Sequence, residues 1–136
     1  MAALPAWAAP AAVAAAALAW CAVVGIADPT RPGNTLPHCP FKALTGWDCP
    51  GCGSTRMLHV LLHGDFVGAA RYNLVALGMV PVLLWAWLAW TARKVAGRRL
   101  PTWQMSSRAQ QAALLVWLLF TVARNLPWAP FTGLHV

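Results

Sequence analysis

The sequence predicts an all-α fold: a small polytopic membrane protein with about three transmembrane helices and an interfacial helix that follows a cysteine-rich loop. Composition is the first reason, because 60% of the 136 residues are hydrophobic and only 10% are charged, whereas average globular domains are about 45–50% apolar and about 25% charged. Three apolar stretches and one basic loop are the other reasons. Such a chain cannot cover a soluble enzyme domain with polar side chains, and it lacks the solvated basic face that binds nucleic acid.

Span one covers residues 5–27 and contains no charged residue. As a helix it would be about 33 Å long, which is enough to cross a hydrocarbon core of about 30 Å. The alternative is a cleaved signal peptide. Because no Lys or Arg precedes the stretch, and because it exceeds the usual apolar region of about 7–15 residues, we expect a retained transmembrane helix.

The segment 28–72 is predicted to lie outside the membrane and contains three of the four cysteines. Cys39, Cys49 and Cys52 have the spacing C-x9-C-x2-C, and the Pro-Gly between the last two turns the chain tightly. Cys49 and Cys52 can form a disulfide or redox pair, which an oxidising compartment favours. Alternatively, all three cysteines bind zinc, or they are reduced core residues. The x9 spacing does not decide between these interpretations.

Histidines near the cysteines are candidates for a fourth zinc ligand. They are His38, His59 and His63, of which the last two are spaced i, i+4. No Glu follows His59 as it does in the helix of zinc metalloproteases, so we predict no hydrolytic zinc site. The alternative interpretation is that the histidines lie on the solvated polar face of a helix.

A short helix is predicted after the cysteines, along the outer membrane interface. Ser54 or Thr55 can provide its N-cap. Its apolar stripe comprises Met57, Leu58, Leu61 and Leu62. Gly64 ends this helix, and Asp65 is placed to cap a second helix that begins at Phe66 and continues directly into span two.

Span two covers residues 73–91, span three covers residues 109–124, and a tail of residues 125–136 follows. Pro81 removes one backbone hydrogen bond inside span two and crowds the carbonyl of Leu77, so we expect a kink near Leu77. Span three is short, and the basic side chains at its two ends must reach out of the hydrocarbon to the interface.

The loop 92–108 predicts the orientation of the chain. Its basic residues are Arg93, Lys94, Arg98, Arg99 and Arg108, and it contains no acidic residue. In the segment 28–72, by contrast, four basic residues stand against three acidic ones. The positive-inside rule therefore places the N-terminus and the basic loop in the cytoplasm. The cysteine segment of this multi-pass protein then lies on the outer side of the cell (plasma) membrane.

Several polar side chains are predicted to collect at the outer membrane boundary, where they could grip a phosphate or carboxylate group bidentately. They are Arg56, Arg71, Asn73, Arg124 and Asn125. Under this hypothesis the ligand would be an anionic lipid head group. The alternative is that each arginine reaches the interface separately, from its own helix.

The string CPFKALTGWDCPGCGSTR, with HGDF and RYN after it, resembles the bacterial membrane-protein family called domain of unknown function 2752. The most specific part is the CPGCG-x-TR block at residues 49–56, and the resemblance extends over roughly residues 36–130. It implies a short, helical, membrane-bound protein and marks the cysteine segment as the site. It implies no particular activity.

We expect a non-catalytic role, as a subunit, assembly factor or lipid-facing partner whose cysteine module is stabilised by a disulfide or zinc. The small residues of span one permit close helix packing, so the expected partners are membrane lipids, further copies of the chain and other membrane proteins, but not nucleic acid. The rival hypothesis is a membrane thiol–disulfide oxidoreductase with Cys49 as nucleophile, Cys52 as its partner and Cys39 as a relay. Such an enzyme would lack a second cysteine pair to receive electrons, because only Cys21 in span one remains.

Overall fold

The computed structural model describes residues 5–31, 33, 36, 39–102 and 106–128. These residues form helices and no strands, so the all-α prediction is confirmed for the described part of the chain. The helices are α1 (Ala8–Ala27), α2 (Pro40–Thr45), α3 (Ser54–Leu62), α4 (Phe66–Ala96) and α5 (Ser107–Arg124).

Two of these helices, α1 and α4, are long and apolar enough to cross a membrane. The prediction of a third span over 109–124 is wrong by the same measure, although the helix itself forms as α5. The first turns of α5 contain Arg108, Gln110 and Gln111, and its last residue is Arg124. These polar residues lower the apolar content of a helix that is only 18 residues long.

Helices α1 and α4 run antiparallel. Helix α3 packs between the C-terminal end of α1 and the N-terminal end of α4. The indole Nε1 of Trp87 in α4 donates to the carbonyl oxygen of Pro10 at the start of α1, at 3.3 Å. At the other end of α1, the ring Nδ1 of His59 in α3 lies 3.0 Å from the carbonyl oxygen of Val24. Among the described residues, the buried hydrophobic side chains are few: Val24, Cys52, Met57, Ala69 and Ala89. Many large apolar side chains of α1 and α4 are exposed, among them Leu18, Ile26, Leu74 and Leu83.

The corner between α3 and α4 follows the sequence prediction in part. The N-cap of α3 is Gly53, with φ +79°, and Ser54 is already the first helical residue, so the prediction of a Ser54 or Thr55 cap is wrong. At the other end, Gly64 has φ +84° and follows the last turn of α3. The Asp65 carboxylate accepts a hydrogen bond from the backbone N–H of Gly68 at 2.8 Å, which confirms the predicted cap of the next helix.

The break in α4 lies at Asn73 and not near Leu77 as predicted. Asn73 has φ −163° and ψ 93°, and it is the residue of α4 that departs from helical geometry. Its side-chain Oδ1 accepts from the backbone N–H of Ala76 at 2.9 Å. Asn73 therefore acts as an N-cap within α4, and the helix begins again after it. Pro81 lies inside the restarted helix without a break of its own in the backbone dihedrals.

The Asp65 cap leads to a test of the corner. We expect Asp65→Ala to destabilise the protein by about 1 kcal/mol, because the N–H groups at the start of α4 lose their acceptor. Thermal unfolding in detergent, followed by circular dichroism, measures the change. Asp65→Asn is the matched control and should retain most of the stability, because its side-chain oxygen can still accept from Gly68. Equal melting temperatures for wild type and Asp65→Ala would contradict the assignment.

Candidate functional site

Three cysteine sulfurs lie together at the end of the molecule where α3 meets α4. The Sγ atoms of Cys39, Cys49 and Cys52 are all within 4.8 Å of one another. The Sγ of Cys49 is in the middle, 3.3 Å from that of Cys39 and 3.2 Å from that of Cys52. All three are free thiols here, since a disulfide would require about 2.05 Å between sulfurs. We call residues 39–53 with these three thiols the cysteine knuckle.

Local sequence explains how the knuckle forms. Cys39 precedes α2, whose first residue Pro40 fixes a helical φ at a position where no N–H is needed. The Pro50-Gly51 dipeptide turns the chain so that the N–H of Cys52 donates to the carbonyl oxygen of Cys49 at 2.9 Å. Within this turn the N–H of Cys49 also donates to the Sγ of Cys52 at 3.2 Å. The turn thus places the sulfurs of Cys49 and Cys52 side by side. The third sulfur belongs to Cys39, which stands before the x9 segment.

Asn73 fastens the knuckle to α4. Its side-chain Nδ2 donates to the carbonyl oxygens of Pro50 and Cys52, at 2.8 and 3.1 Å. The same nitrogen lies 3.3 Å from the hydroxyl oxygen of Ser54. Asn73 is 1% exposed, so these bonds are protected from water. An irregular turn leaves carbonyl groups without helical partners, and the amide of Asn73 satisfies two of them.

Arg124 fastens the knuckle to α5. Its Nη1 donates to the carbonyl oxygen of Cys52 at 2.7 Å, and its Nη2 donates to that of Tyr72 at 3.3 Å. The Arg124 side chain is 0% exposed. Its cation therefore binds backbone oxygens from two different segments, which is a strong charge-assisted arrangement.

A second pair of contacts joins α5 to the knuckle. The backbone N–H of Asp48 donates to Oδ1 of Asn125 at 2.8 Å, and Nδ2 of Asn125 donates to the carbonyl oxygen of Asp48 at 2.9 Å. The carboxylate of Asp48 is nearly buried and pairs with Nζ of Lys42 in α2 at 2.8 Å. Asp48, directly before Cys49, is thus bound both by Lys42 of α2 and by Asn125 at the end of α5.

The thiols differ in their acidity. The pKa of Cys39 is below its ordinary value, mainly because the backbone N–H of Lys42 stabilises its thiolate, with a contribution from the Cys49 thiol. Burial and, to a smaller extent, the neighbouring thiols of Cys49 and Cys39 raise the pKa of Cys52 to about 12. Cys39 is consequently the thiol that deprotonates more readily, and Cys52 needs a compensating positive charge to do so.

The two candidate histidines that the structure describes, His59 and His63, lie away from the sulfurs. His59 contacts Val24 and lies 3.3 Å, through Nε2, from Oδ1 of Asp28 after α1. His63 lies beside the His59 ring, with centroids 4.4 Å apart, and its Nδ1 is 2.8 Å from the carbonyl oxygen of His59. Neither belongs to the thiol cluster. His38 lies outside the described residues.

The five polar residues that were predicted to bind one anionic ligand lie in different environments. Arg124, Asn73 and Asn125 are brought together, but they bind backbone groups of the knuckle. Arg56 donates through Nε to the carbonyl oxygen of Pro29 at 3.1 Å, and Arg71 is exposed. The contacts of these arginines give no support for a shared head-group site at this end of the molecule.

Two residues of the cysteine knuckle were not predicted from the sequence to contribute to the site. Asp48 and Lys42 form an ion pair within the knuckle in which the carboxylate is buried and the Lys42 side chain is exposed. The available signal was the position of Asp48 directly before Cys49 in a segment with few charges, since a carboxylate in an apolar environment requires a partner.

Residues 39–87 match the model of the family described as "Protein of unknown function (DUF2752)". The predicted family resemblance is confirmed. The matched segment contains the three knuckle cysteines and Asn73, and it ends inside α4, before Arg124. No curated protein and no solved structure matches the chain. The family description names no activity, so the chemistry of the site must come from its geometry.

Arg124 provides a test of this geometry. Arg124→Ala should destabilise the protein by about 2–5 kcal/mol, because the carbonyl oxygen of Cys52 loses one of its two side-chain donors and that of Tyr72 loses its bond to Arg124. The knuckle should then loosen, so a thiol reagent should label Cys52 faster. Arg108→Ala, at the exposed start of the same helix, is the control and should change stability by no more than about 0.5 kcal/mol. If both variants melt at the wild-type temperature and label at the wild-type rate, the role assigned to Arg124 is incorrect.

Proposed function

We propose that this chain is an integral protein of the cell membrane whose cysteine knuckle binds zinc and whose role is non-catalytic, as a subunit, assembly factor or lipid-facing partner. The orientation proposed places the N-terminus and the loop 92–108 in the cytoplasm and the knuckle outside, in accordance with the positive-inside rule. The antiparallel packing of α1 and α4 supports one part of this proposal, that the N-terminus and the basic loop lie on the same side, because it puts the start of α1 near the end of α4.

The observation that carries the zinc proposal is the mutual proximity of three sulfurs. A structural disulfide uses two cysteines and does not require a third sulfur, whereas here the Sγ of Cys39 lies 3.3 Å from that of Cys49. Tetrahedral zinc with Zn–S bonds of about 2.3 Å requires sulfurs about 3.8 Å apart, and all three sulfurs lie within 4.8 Å. A divalent cation would also stabilise the thiolate of Cys52, whose pKa burial raises.

The surroundings of the thiols favour a structural role for the metal. A metal held by Cys39, Cys49 and Cys52 would join the start of α2 to the turn before α3. Arg124 and Asn125 then connect that turn to α5. The fourth ligand proposed is His38, next to Cys39 in sequence, since His59 and His63 have other contacts. We further propose that copies of the chain associate through the small residues of α1.

Metal content tests this proposal. Protein purified in detergent without chelator should contain about one zinc ion per chain by elemental mass spectrometry. Each of Cys39→Ser, Cys49→Ser and Cys52→Ser should reduce the zinc to a trace. Cys21→Ser, which alters the cysteine in α1, is the control and should retain the metal. Because zinc must displace the thiol protons, loading should decrease as the pH falls. A trace amount in the wild type, even after incubation with excess zinc, would eliminate the proposal.

The second candidate function is thiol–disulfide exchange, and the central position of Cys49 favours it. A Cys49–Cys52 disulfide would accept two electrons from a partner's dithiol, which becomes a disulfide through a mixed disulfide with Cys49. The two knuckle sulfurs would leave as thiols. In the relay, which would precede this reduction, the Cys39 thiolate, whose pKa is lowered, would attack the Cys49 sulfur of the Cys49–Cys52 disulfide, so that a Cys39–Cys49 disulfide forms and Cys52 leaves as the thiol.

Alkylation in native membranes distinguishes the two candidates. The experiment uses the Cys21→Ser background and a maleimide that adds mass to each free thiol. Exchange predicts one labelled cysteine before reduction and three after it, and Cys39→Ser should abolish the label seen before reduction. Zinc coordination predicts three thiols that react only after chelation, with no effect of the reductant. Three thiols that react at once, without chelator or reductant, would contradict both candidates.

A further inference from the structure

We propose a binding site for an anionic phospholipid at the end of the molecule opposite the knuckle, where an apolar groove between α1 and α4 meets a group of exposed cations. The inference rests on the membrane embedding proposed above but not on the zinc site. Nothing in the family description assigns a ligand to this region.

The groove is lined only by apolar surface. It has a volume of about 750 Å³ and lies between α1 and α4. Small residues of α1, Ala14 and Ala17, form one wall, and Leu83, Trp87 and Trp90 of α4 form part of the other. A groove of this composition within the two candidate membrane helices offers a hydrocarbon chain dispersion contacts and no hydrogen-bond partner. The complementary ligand segment is therefore an acyl chain.

A second, smaller cavity adjoins the groove on the side of the basic loop. It has a volume of about 250 Å³, and its lining includes Trp85, Arg93 and Thr102. Ala86 and Trp90 line both cavities, so the two share a wall. The chain after α4 is held over this cavity by the indole N–H of Trp85, which donates to the carbonyl oxygen of Pro101 at 3.0 Å. The apolar groove thus continues toward a polar mouth that Arg93 borders.

The mouth is strongly cationic. Nζ of Lys94 lies 6.0 Å from the centroid of the Trp90 ring, the ring that lines both cavities. Arg98 and Arg99 follow directly after Gly97, which ends α4, and both are exposed. No acidic residue occurs in the loop 92–108. Indole rings with neighbouring basic side chains are characteristic of the membrane–water boundary, and such cations attract anionic head groups there.

Together these features match a ligand with an apolar tail and a net negative head. A zwitterionic phospholipid would satisfy the groove but would leave the cations without a net counter-charge. Free phosphate would satisfy the cations but would leave the groove without an occupant. An anionic phospholipid satisfies both, with its phosphate near Arg93 and one acyl chain along Ala17 and Leu83.

The test uses the full chain in nanodiscs that contain equal amounts of phosphatidylglycerol and phosphatidylcholine. Co-elution of protein and disc is measured first, since a chain that does not enter discs overturns both the membrane proposal and this site. The protein is then extracted gently, and native mass spectrometry counts the lipids that remain bound. We expect retained phosphatidylglycerol to exceed phosphatidylcholine at least fivefold. Inorganic phosphate should not displace the bound lipid.

Two variants separate the groove from general attraction to the basic loop. Arg93→Ala should reduce the preference for phosphatidylglycerol about fivefold, as expected for the loss of one cation near an anionic surface. Ala86→Phe fills the shared wall without changing any charge and should also reduce retention severalfold. Arg71→Ala removes an exposed cation at the opposite end of α4 and should have no effect. Circular dichroism confirms that each variant is folded.

Several results would overturn the site. Equal retention of the two lipids would remove the head-group preference, and displacement by phosphate would indicate a phosphate site. An Ala86→Phe variant that retains lipid like the wild type would show that only the loop charge acts. An equal loss for Arg71→Ala and Arg93→Ala would show nonspecific attraction. Loss of zinc from the cysteine variants, by contrast, leaves the lipid preference intact if the two sites are independent.

Discussion

The carbonyl oxygen of Cys52 is the acceptor on which the arrangement of the helices depends. It receives hydrogen bonds from Nδ2 of Asn73 at 3.1 Å and from Nη1 of Arg124 at 2.7 Å. One donor comes from α4 and the other from α5. An irregular turn packed between helices is tolerable only if its polar backbone groups find partners, because unsatisfied groups away from water cost free energy. The turn that brings Cys49 and Cys52 together therefore requires both α4 and α5, and it determines where these two helices meet.

The same requirement explains which features the sequence predicts and which it does not. The Asp65 cap depends on a neighbour three residues away, and the sequence alone predicts it correctly. The break in α4 was expected near Leu77, on the basis of Pro81. It lies at Asn73, because the Asn73 side chain binds Pro50 and Cys52, 23 and 21 residues earlier. Local sequence contains no signal for that contact.

The buried Arg124 illustrates the same limit for the site. A basic residue at the end of an apolar helix is ordinarily expected to reach toward the interface, and the sequence prediction treated Arg124 in that way or as a ligand for an external anion. The structure buries it completely, because backbone carbonyl groups of Cys52 and Tyr72 provide its partners. Every residue carries a backbone carbonyl group, so the sequence does not indicate which of these groups will accept a hydrogen bond from Arg124. The sulfurs of Cys39, Cys49 and Cys52 do lie together, which is the arrangement that the zinc interpretation requires, while the candidate ligands His59 and His63 lie away from them.

The break at Asn73 also divides α4 into a short segment beside the knuckle and a longer apolar segment. A straight helix of 31 residues would be about 46 Å long, which exceeds a hydrocarbon core of about 30 Å. With the break, residues 74–96 form a segment of about 34 Å that matches the core, and residues 66–72 remain beside the knuckle. The amide that satisfies the cysteine turn is thus the one that starts the apolar segment, whose far end carries Trp90 and Arg93. The knuckle and the groove thus lie toward opposite ends of this segment, and the groove is lined by residues of α1 and α4 alone.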